Sequence, residues 1–144
     1  MNGKRKKGIV LWGGKNKGKS KTIKKVYEFF TAEQIKPKDI ISILSINDDL
    51  IGIESQGDPG GRLEYTLPLF VELGCTIIIC AARITRTRTQ IFKVVDDLRR
   101  KYKYSEMLWL KQDCVSKRLQ ERNSRLMAQK IVNEVQEIIF NGVL

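Results

Sequence analysis

A glycine- and lysine-rich stretch near the start of the chain, GGKNKGKS at residues 13–20, has the residue types needed to hold phosphate. Its glycines allow backbone N–H groups to turn inward around phosphate oxygens without a Cβ in the way. Lys19 would reach the β- and γ-phosphates of a nucleotide, and Ser20 would ligate Mg²⁺. A helix starting at Lys19 would also direct its positive N-terminal end at the phosphates. The stretch therefore predicts a site for a nucleoside triphosphate, ATP or GTP, with Mg²⁺.

The neighbouring sequence decides whether this G-x-x-x-x-G-K-[ST] pattern is more than a chance match. An apolar run typical of a buried strand, GIVLW at 8–12, precedes it, and an amphipathic helix is predicted over roughly 19–31. The alternative is a solvated basic loop whose lysines only aid solubility. Because strand and helix are both present, the chain resembles the P-loop NTPases with a Walker A motif, from residue 8 to about 111. The residues expected to contact the nucleotide in this stretch are Gly13, Gly14, Lys15, Asn16, Lys17, Gly18, Lys19, Ser20 and Lys21.

The carboxylate that organises Mg²⁺ in such proteins generally ends a strand beside the first. Glu54, which ends the run LIGIE at 50–54, is the candidate metal ligand. With Gly57 it forms Glu-x-x-Gly, similar in spacing to the Asp-x-x-Gly switch of GTPase-like P-loop proteins. The resemblance implies that Glu54 holds Mg²⁺ through water and that the Gly57 N–H contacts the γ-phosphate. Glu in place of Asp lengthens the side chain at this position.

The segment SQGDPGG at 55–61 offers further candidates for the reaction itself. Asp58 is a second candidate for organising the metal, or the base that orients a nucleophile, and Gln56 could position a water. The plain alternative is a turn-rich connector, for which the glycines and the proline suffice. We expect the catalytic residues to be Lys19, Asp58 and Arg83.

Cationic side chains are predicted at the end of the fourth strand. Arg83, Arg86 and Arg88 lie there, at the edge where open α/β sheets bind ligands. One of them could act as an arginine finger, together they could bind a phosphorylated second substrate, or they form a solvated loop. GTPase-like P-loop proteins recognise guanine with Asn/Thr-Lys-x-Asp at this point, where this chain has CAAR at 80–83. ATP is therefore favoured over GTP.

The composition limits the classes of function. Lys and Arg number 27 against 16 Asp and Glu, and the net charge of +11 attracts nucleotides, nucleic acid or acidic surfaces. The chain contains no histidine, which excludes His-based metal sites and Ser-His or Cys-His nucleophiles.

Cys75, Cys80 and Cys114 form no CxxC pair and predict buried thiols in a reducing compartment. With no signal-peptide-like or membrane-spanning run, we expect a cytoplasmic protein without a membrane partner.

The elements that must position these residues alternate between strands and helices. The first helix is expected to stop at KPKD, 36–39. IISILSI (40–46) and LIGIE (50–54) then predict an antiparallel hairpin around the polar break NDD (47–49). The elements predicted after it are a helix over about 62–73 capped by Gly74, a strand at 75–82, a helix over 91–102 with Thr87 and Gln90 spaced as a capping box, a strand at 105–111 and a helix at 115–140.

This order predicts one α/β domain over residues 1–144 with the three-layer P-loop NTPase fold. Its sheet would have five mostly parallel strands, with strands 2 and 3 as an antiparallel hairpin. The hairpin favours a place beside the first strand for the strand that ends at Glu54. Pro68 either kinks the helix that contains it or marks a late start.

Three functions fit these predictions. The first is a slow Mg²⁺-dependent NTPase, acting as a switch or inside a larger assembly. The second is a phosphotransferase acting on a nucleoside, a nucleotide or another small acceptor, although the sequence has no insertion long enough for a lid. The third is binding of nucleic acid or another anionic partner, with the nucleotide as regulator, through basic residues at both ends of the chain. These residues are Lys4, Arg5, Lys6, Lys7, Arg118, Arg122 and Arg125.

The third function has a plain alternative, because the arginines of the last helix could form a solvated face and no aromatic stacking residue accompanies them in the sequence.

The chain also looks like a group of short bacterial P-loop proteins. These combine the loop with a Ser-Gln-Gly-Asp segment and a Cys-x4-Cys-Ala-x-Arg strand, found here at 55–58 and 75–83. That likeness supports the fold and the nucleotide site, and it does not indicate a substrate.

Overall fold

Strands and helices alternate along the chain as the apolar periodicity predicts. The computed structural model describes residues 5–14, 18–34, 39–56, 62–84, 90–112 and 116–140. Within them the elements are β1 (Lys7–Gly13), α1 (Lys19–Thr31), β2 (Ile41–Ile46), β3 (Asp49–Glu54), α2 (Leu63–Glu72), β4 (Ile77–Arg83), α3 (Gln90–Arg100), β5 (Glu106–Lys111) and α4 (Lys117–Phe140). These bounds differ from the predicted ones by at most two residues.

Strand β1 lies inside the sheet, where it pairs in parallel with β4 on one side and with β5 on the other. The order of strands is β2-β3-β4-β1-β5, and β2 pairs antiparallel with β3. The mostly parallel five-stranded sheet with an antiparallel hairpin is confirmed. The expectation that the strand ending at Glu54 lies beside β1 is wrong, because β4 lies between them. The apolar run of β4 explains this, since a strand buried on both faces belongs in the sheet interior.

The two faces of the sheet bury separate apolar layers, because alternate residues of a strand point to opposite sides. Ile9 of β1 joins Ile23 of α1 and Ile131 of α4 in one layer. Val10 of β1 packs on the other face, with residues of α2 and α3 such as Val95. Helices therefore cover both faces, which confirms the three-layer α/β architecture.

The longest described helix, α4, has 24 residues, and its exposed side carries charged residues. None of the described helices is long and apolar enough to cross a membrane. The length of α4 instead allows it to span the sheet from the edge where β5 ends to the turn of the β2–β3 hairpin. There the Nδ2 of Asn47 donates to the carbonyl of Ile139 at 3.1 Å.

The turn of the β2–β3 hairpin is tighter than predicted. Asn47 and Asp48 both have left-handed backbone angles, with φ of 51° and 68°. Two consecutive left-handed residues are typical of a type I′ turn, whose twist matches that of the flanking strands. Asp49, predicted to lie in the polar break, is instead the first residue of β3. The three-residue break is therefore wrong by one residue, and asparagine and aspartate account for the tighter turn because both tolerate this conformation.

The C-terminal end of α2 has the expected glycine cap. Gly74 has φ 90°, its N–H donates to Val71 at 3.0 Å, and the N–H of Cys75 donates to Phe70 at 3.0 Å. This pair of hydrogen bonds is the Schellman pattern, in which only glycine avoids a steric cost. Pro68 lies inside α2, so the alternative of a late start is excluded.

The cysteines in the described part of the chain are buried in the interior. Cys75 and Cys80 are free thiols on the α2–α3 side of the sheet. Burial raises the pKa of Cys75 to about 11 and that of Cys80 to about 12, because a thiolate loses its hydration in apolar surroundings. The prediction of buried thiols is confirmed for these two, whereas Cys114 lies outside the described residues.

Replacing Gly52 in β3 by alanine is expected to destabilise the protein by about 1–3 kcal/mol through overpacking. A Cβ there would lie 2.6 Å from the ring of Phe70, which is almost fully buried and has no room to move. Gly8→Ala is the matched control, because its Cβ would meet the flexible end of Met107 at 2.6 Å. Urea unfolding should show the larger loss for Gly52→Ala, and equal losses would contradict this packing.

Candidate functional site

The glycine-rich stretch begins at the edge of the sheet where the parallel strands have their carboxyl ends. Gly13 is the last residue of β1 and lies opposite Arg83, the last residue of β4. Gly18 takes the N-cap position of α1, which begins at Lys19. The predicted order of strand, glycine-rich segment and helix is therefore present, at the edge where α/β sheets generally bind ligands.

Two glycines of this stretch are required by the close approach of Gln112. A Cβ on Gly13 would lie 2.5 Å from the carbonyl oxygen of Gln112, and a Cβ on Gly18 would lie 2.8 Å from its Nε2. Gly18 also has φ 89°, in the left-handed region that favours glycine. The backbone path of the stretch therefore leaves no room for side chains at either position.

Gln112 is fully buried and links the glycine-rich stretch to two helices. Thr22 Oγ1 donates to its Oε1 at 2.7 Å, and its Nε2 donates to Ser124 Oγ at 3.3 Å. Ser124 donates in turn to the carbonyl of Gly18 at 3.4 Å. The backbone N–H of Gln112 donates to the Trp12 carbonyl at 2.9 Å. Sequence reasoning missed Gln112, although its place directly after the fifth strand was a usable signal.

The start of α1 offers positive charge and the backbone N–H groups of a helix N-terminus. The ammonium of Lys19 donates to the carbonyl of Gly14, which places its charge over the glycine-rich stretch. No side chain among the described residues caps the helix at Gly18. The first N–H groups of a helix have no acceptor within it, and they carry the positive end of its dipole. Together these groups suit an anion such as a phosphate.

The side chains of Ser20, Asp39 and Ser55 and the backbone carbonyl of Ser55 form a cluster of oxygen atoms. Ser20 Oγ is 3.4 Å from Asp39 Oδ1 and 3.4 Å from the carbonyl oxygen of Ser55. Ser55 Oγ lies 3.3 Å from the same Asp39 oxygen and accepts from the Ile40 N–H at 2.6 Å. The three separations near Asp39 and Ser20 exceed the usual O–H···O distance of about 2.7 Å. They are also longer than the spacing of about 2.9 Å between neighbouring ligands of an octahedral Mg²⁺, so these groups would have to move slightly closer together to share one ion.

Asp39 has no role in the sequence-based prediction beyond the segment that ends the first helix. The signal that could have found it is its position, because it lies two residues before β2 and so reaches the sheet edge that also holds Ser20. Its carboxylate is exposed, unlike that of Glu54.

Glu54 is fully buried at the end of β3, where Arg62 holds it. Arg62 Nε lies 3.2 and 3.1 Å from the two carboxylate oxygens, and its Nη2 donates to Oε1 at 3.1 Å. The N–H of Gln56 donates to the same oxygen at 3.3 Å. The hydrogen bond to Glu54 raises the pKa of the Arg62 guanidinium, so the cation persists at neutral pH. A metal role for Glu54 stays a prediction, and Mg²⁺ would compete with Arg62 for its carboxylate.

Arg83 is the predicted cation that lies nearest to the glycine-rich stretch in the sheet. It ends β4 in register with Gly13, and the N–H of Ile84 donates to the Gly13 carbonyl at 3.3 Å. On the other side of β1, Lys111 Nζ lies 5.3 Å from the centre of the Trp12 ring, a cation–π contact. Positive side chains therefore end both strands that flank β1.

The remaining predicted site residues are not brought together by the described structure. Lys21 is exposed, and its Nζ lies 3.6 Å from Glu121 Oε2 on α4, away from the glycine-rich stretch. The predictions that lie outside the described residues are Lys15, Asn16, Lys17, Gly57, Asp58, Arg86 and Arg88.

Comparison with known proteins supplies a distant structural likeness. No protein-family model and no curated protein matches the chain. A solved structure described as the crystal structure of APE1195 matches with a TM-score of 0.47 and 10% sequence identity, over 96% of this chain and 77% of that one. A likeness at this level identifies neither a family nor a function. The fold defines a three-layer α/β protein with a candidate anion site where β1 meets α1.

Gly18→Ala is expected to lower the free energy of unfolding more than Gly74→Ala, which replaces a glycine of equal backbone strain outside the site. Gly18 and Gly74 have φ of 89° and 90°, so alanine costs roughly 1–2 kcal/mol of backbone energy at each. A Cβ at Gly74 meets nothing within 4 Å, whereas one at Gly18 collides with Gln112 and Gln120. The unfolding free energy should therefore fall further for Gly18→Ala than for Gly74→Ala. A loss no greater than that of the Gly74 control would contradict the described packing of Gln112.

Proposed function

We propose that the protein binds a nucleoside triphosphate with Mg²⁺ where β1 meets α1, and that it hydrolyses the nucleotide slowly, with ATP favoured over GTP. The observation that carries this proposal is the position of Lys19, whose ammonium is turned onto the Gly14 carbonyl at the N-terminus of α1. A cation and a row of helix N–H groups thereby face one small region, as a polyphosphate requires.

The residues divide the work of binding by their chemistry. Lys19 neutralises the β- and γ-phosphates, while the N–H groups at the start of α1 donate to phosphate oxygens. Gly13 and Gly18 allow the backbone to follow this path against Gln112, because neither position has space for a Cβ. Arg83, half-buried beside Gly13, is placed to offset the charge that develops on the phosphates during transfer.

Ser20 and Asp39 fit a divalent cation held with the nucleotide. Oxygen ligands are what Mg²⁺ prefers, and the Ser20 hydroxyl, the Asp39 carboxylate and the Ser55 carbonyl supply three of them. A bound Mg²⁺ would polarise the phosphate and neutralise part of its charge. Glu54 is the rival acid, but its carboxylate is buried and held by Arg62. We therefore rank Asp39 above Glu54 as the acid that supports the metal.

Hydrolysis at this site requires a base that orients the attacking water. Asp58 stays the predicted base, although it lies outside the described residues. The preference for ATP depends on the CAAR segment at 80–83, which lacks the carboxylate that reads guanine in the GTPase-like proteins the chain resembles. If the γ-phosphate appeared on an added acceptor instead of in solution, the protein would be a phosphotransferase.

Lys19→Ala is expected to reduce Mg²⁺-dependent phosphate release from ATP by about 100-fold or more, because one charge aimed at the reacting phosphates is lost. Lys24→Ala is the matched control, since Lys24 is a half-buried lysine of the same helix. It should leave the rate unchanged. A phosphate-release assay with ATP and GTP measures both the loss and the preference. Equal rates for the unaltered protein and Lys19→Ala would refute hydrolysis at this site.

Asp39→Asn is expected to weaken Mn²⁺ binding in the presence of a non-hydrolysable ATP analogue by roughly 10- to 100-fold. Electron paramagnetic resonance of free Mn²⁺ gives the affinity directly. Glu54→Gln should retain the affinity but lower the unfolding free energy by about 1–3 kcal/mol, because it weakens the buried contact with Arg62. The opposite pattern, with metal affinity lost in Glu54→Gln and kept in Asp39→Asn, would assign the metal to Glu54.

A further inference from the structure

Helices α1 and α4 lie side by side on one face of the sheet, and a surface groove runs between them. Lys25 and Phe29 of α1 line it on one side, and Arg125 and Gln129 of α4 on the other. Near the start of α1, Ser124 of α4 donates to the carbonyl of Gly18, so the two helices are also in contact there. We call this surface the α1–α4 groove.

Three arginines lie on one side of α4, and one of them, Arg125, lines the groove. Arg118, Arg122 and Arg125 recur at four- and three-residue spacing, so they share one side of the helix. All three are exposed, and none forms an ion pair with another described residue. Their charge is therefore available to an anionic partner.

Acidic residues offset only part of the positive charge along the α1–α4 groove. Glu121 of α4 binds both Lys25, at 2.7 Å, and Lys21, at 3.6 Å. The hydrogen bond with Lys25 lowers the pKa of Glu121, so this carboxylate stays ionised at neutral pH. Glu28 is the other carboxylate of the groove. Lys25 and Arg125 line the groove, and Lys21, Arg118 and Arg122 lie on the adjoining surfaces of the two helices. Together with the two carboxylates, these five cations leave an excess of three positive charges in and beside the groove.

Phe29 adds an aromatic surface to this charge. Its side chain is 54% exposed and lies one helical turn after Lys25. Phe30 meets the Phe29 ring edge to face at 5.2 Å and itself packs against the core, which holds the exposed ring in place. An aromatic partner for the arginines was not predictable from the sequence, because Phe29 and Arg125 are distant along the chain. Folding brings them to the same groove.

An exposed ring among cations matches the chemistry of an unpaired nucleic acid strand. Proteins that hold single strands combine a positive groove along the phosphates with aromatic side chains on which bases stack. A duplex keeps its base faces stacked on one another, so it would offer Phe29 no free face. An acidic protein surface would use the arginines but would not require the ring.

We propose that the α1–α4 groove binds single-stranded nucleic acid, with Arg118, Arg122 and Arg125 contacting phosphates and Phe29 stacking on a base. This binding is independent of the nucleotide site proposed above, since it uses none of the same residues.

The charge part of the proposal is tested by fluorescence anisotropy with labelled oligothymidylate and oligouridylate. The variant Arg118→Gln/Arg122→Gln/Arg125→Gln removes three charges from the groove. The control Arg99→Gln/Arg100→Gln/Lys101→Gln removes three charges from exposed positions at the end of α3, on the other face of the sheet. The groove variant should lose at least about 10-fold in affinity, and its slope of log K against log salt should fall by about 2. The control should do neither.

The stacking part is tested by Phe29→Leu. Loss of one stacked base should reduce affinity about 5- to 100-fold without changing the salt slope, because no charge is removed. Phe92→Leu is the matched control: Phe92 is 43% exposed on α3, where it stacks on Trp109 at 5.3 Å. It should bind as the unaltered protein does.

Any of the following results would overturn the proposal: no binding of either strand by the unaltered protein, equal losses in the groove variant and its control, tighter binding of a matched duplex than of the single strands, or an unchanged affinity in Phe29→Leu. Equal affinity for polyglutamate would also overturn it, in favour of an acidic protein partner. Circular dichroism melting checks that each variant is folded. If the triple variant unfolds, the single variant Arg122→Gln gives the same test through a slope change of about 0.7.

Discussion

The hydrogen bonds of one buried amide, that of Gln112, hold the candidate site in shape. The amide joins Thr22 of α1 to Ser124 of α4 and fills the space that a side chain at Gly18 would need, while the backbone carbonyl of the same residue fills the space at Gly13. A buried amide without partners costs several kcal/mol, so any shift of these helices that breaks its hydrogen bonds is disfavoured. The same contacts set α1 against α4. The geometry of the glycine-rich stretch and the existence of the α1–α4 groove therefore depend on a single packing arrangement.

Burial decides how the two acids near this edge of the sheet are used. Glu54 has lost its water, and a buried carboxylate is stable only when a cation or hydrogen-bond donors replace that water. Arg62 and the Gln56 N–H provide them. Asp39 remains exposed, so exchanging water for a metal ion costs it less. The strand end that looked like a metal site in the sequence is thus occupied by an ion pair of the protein itself.

The sequence was sufficient for the features that depend on neighbouring residues. Apolar periodicity placed the strands and helices, and the glycine, lysine and serine spacing at 13–20 placed the candidate site at the end of the first strand. Features that depend on distant residues were not predictable. The insertion of β4 between β1 and β3 is a matter of strand pairing across the sheet. Thr22 and Gln112 are 90 residues apart, and Ser20 and Asp39 are 19 apart, so no local pattern joins them.

Binding of a nucleoside triphosphate with Mg²⁺ at the N-terminus of α1 can be followed residue by residue, by titrating Mg-ATP into ¹⁵N-labelled protein and recording the backbone amide resonances. We expect the largest shifts at Gly14, Gly18, Lys19 and Ser20, and we expect them to disappear in Lys19→Ala. An absence of shifts, or shifts centred on the α2–α3 face of the sheet, would rule out nucleotide binding at this site.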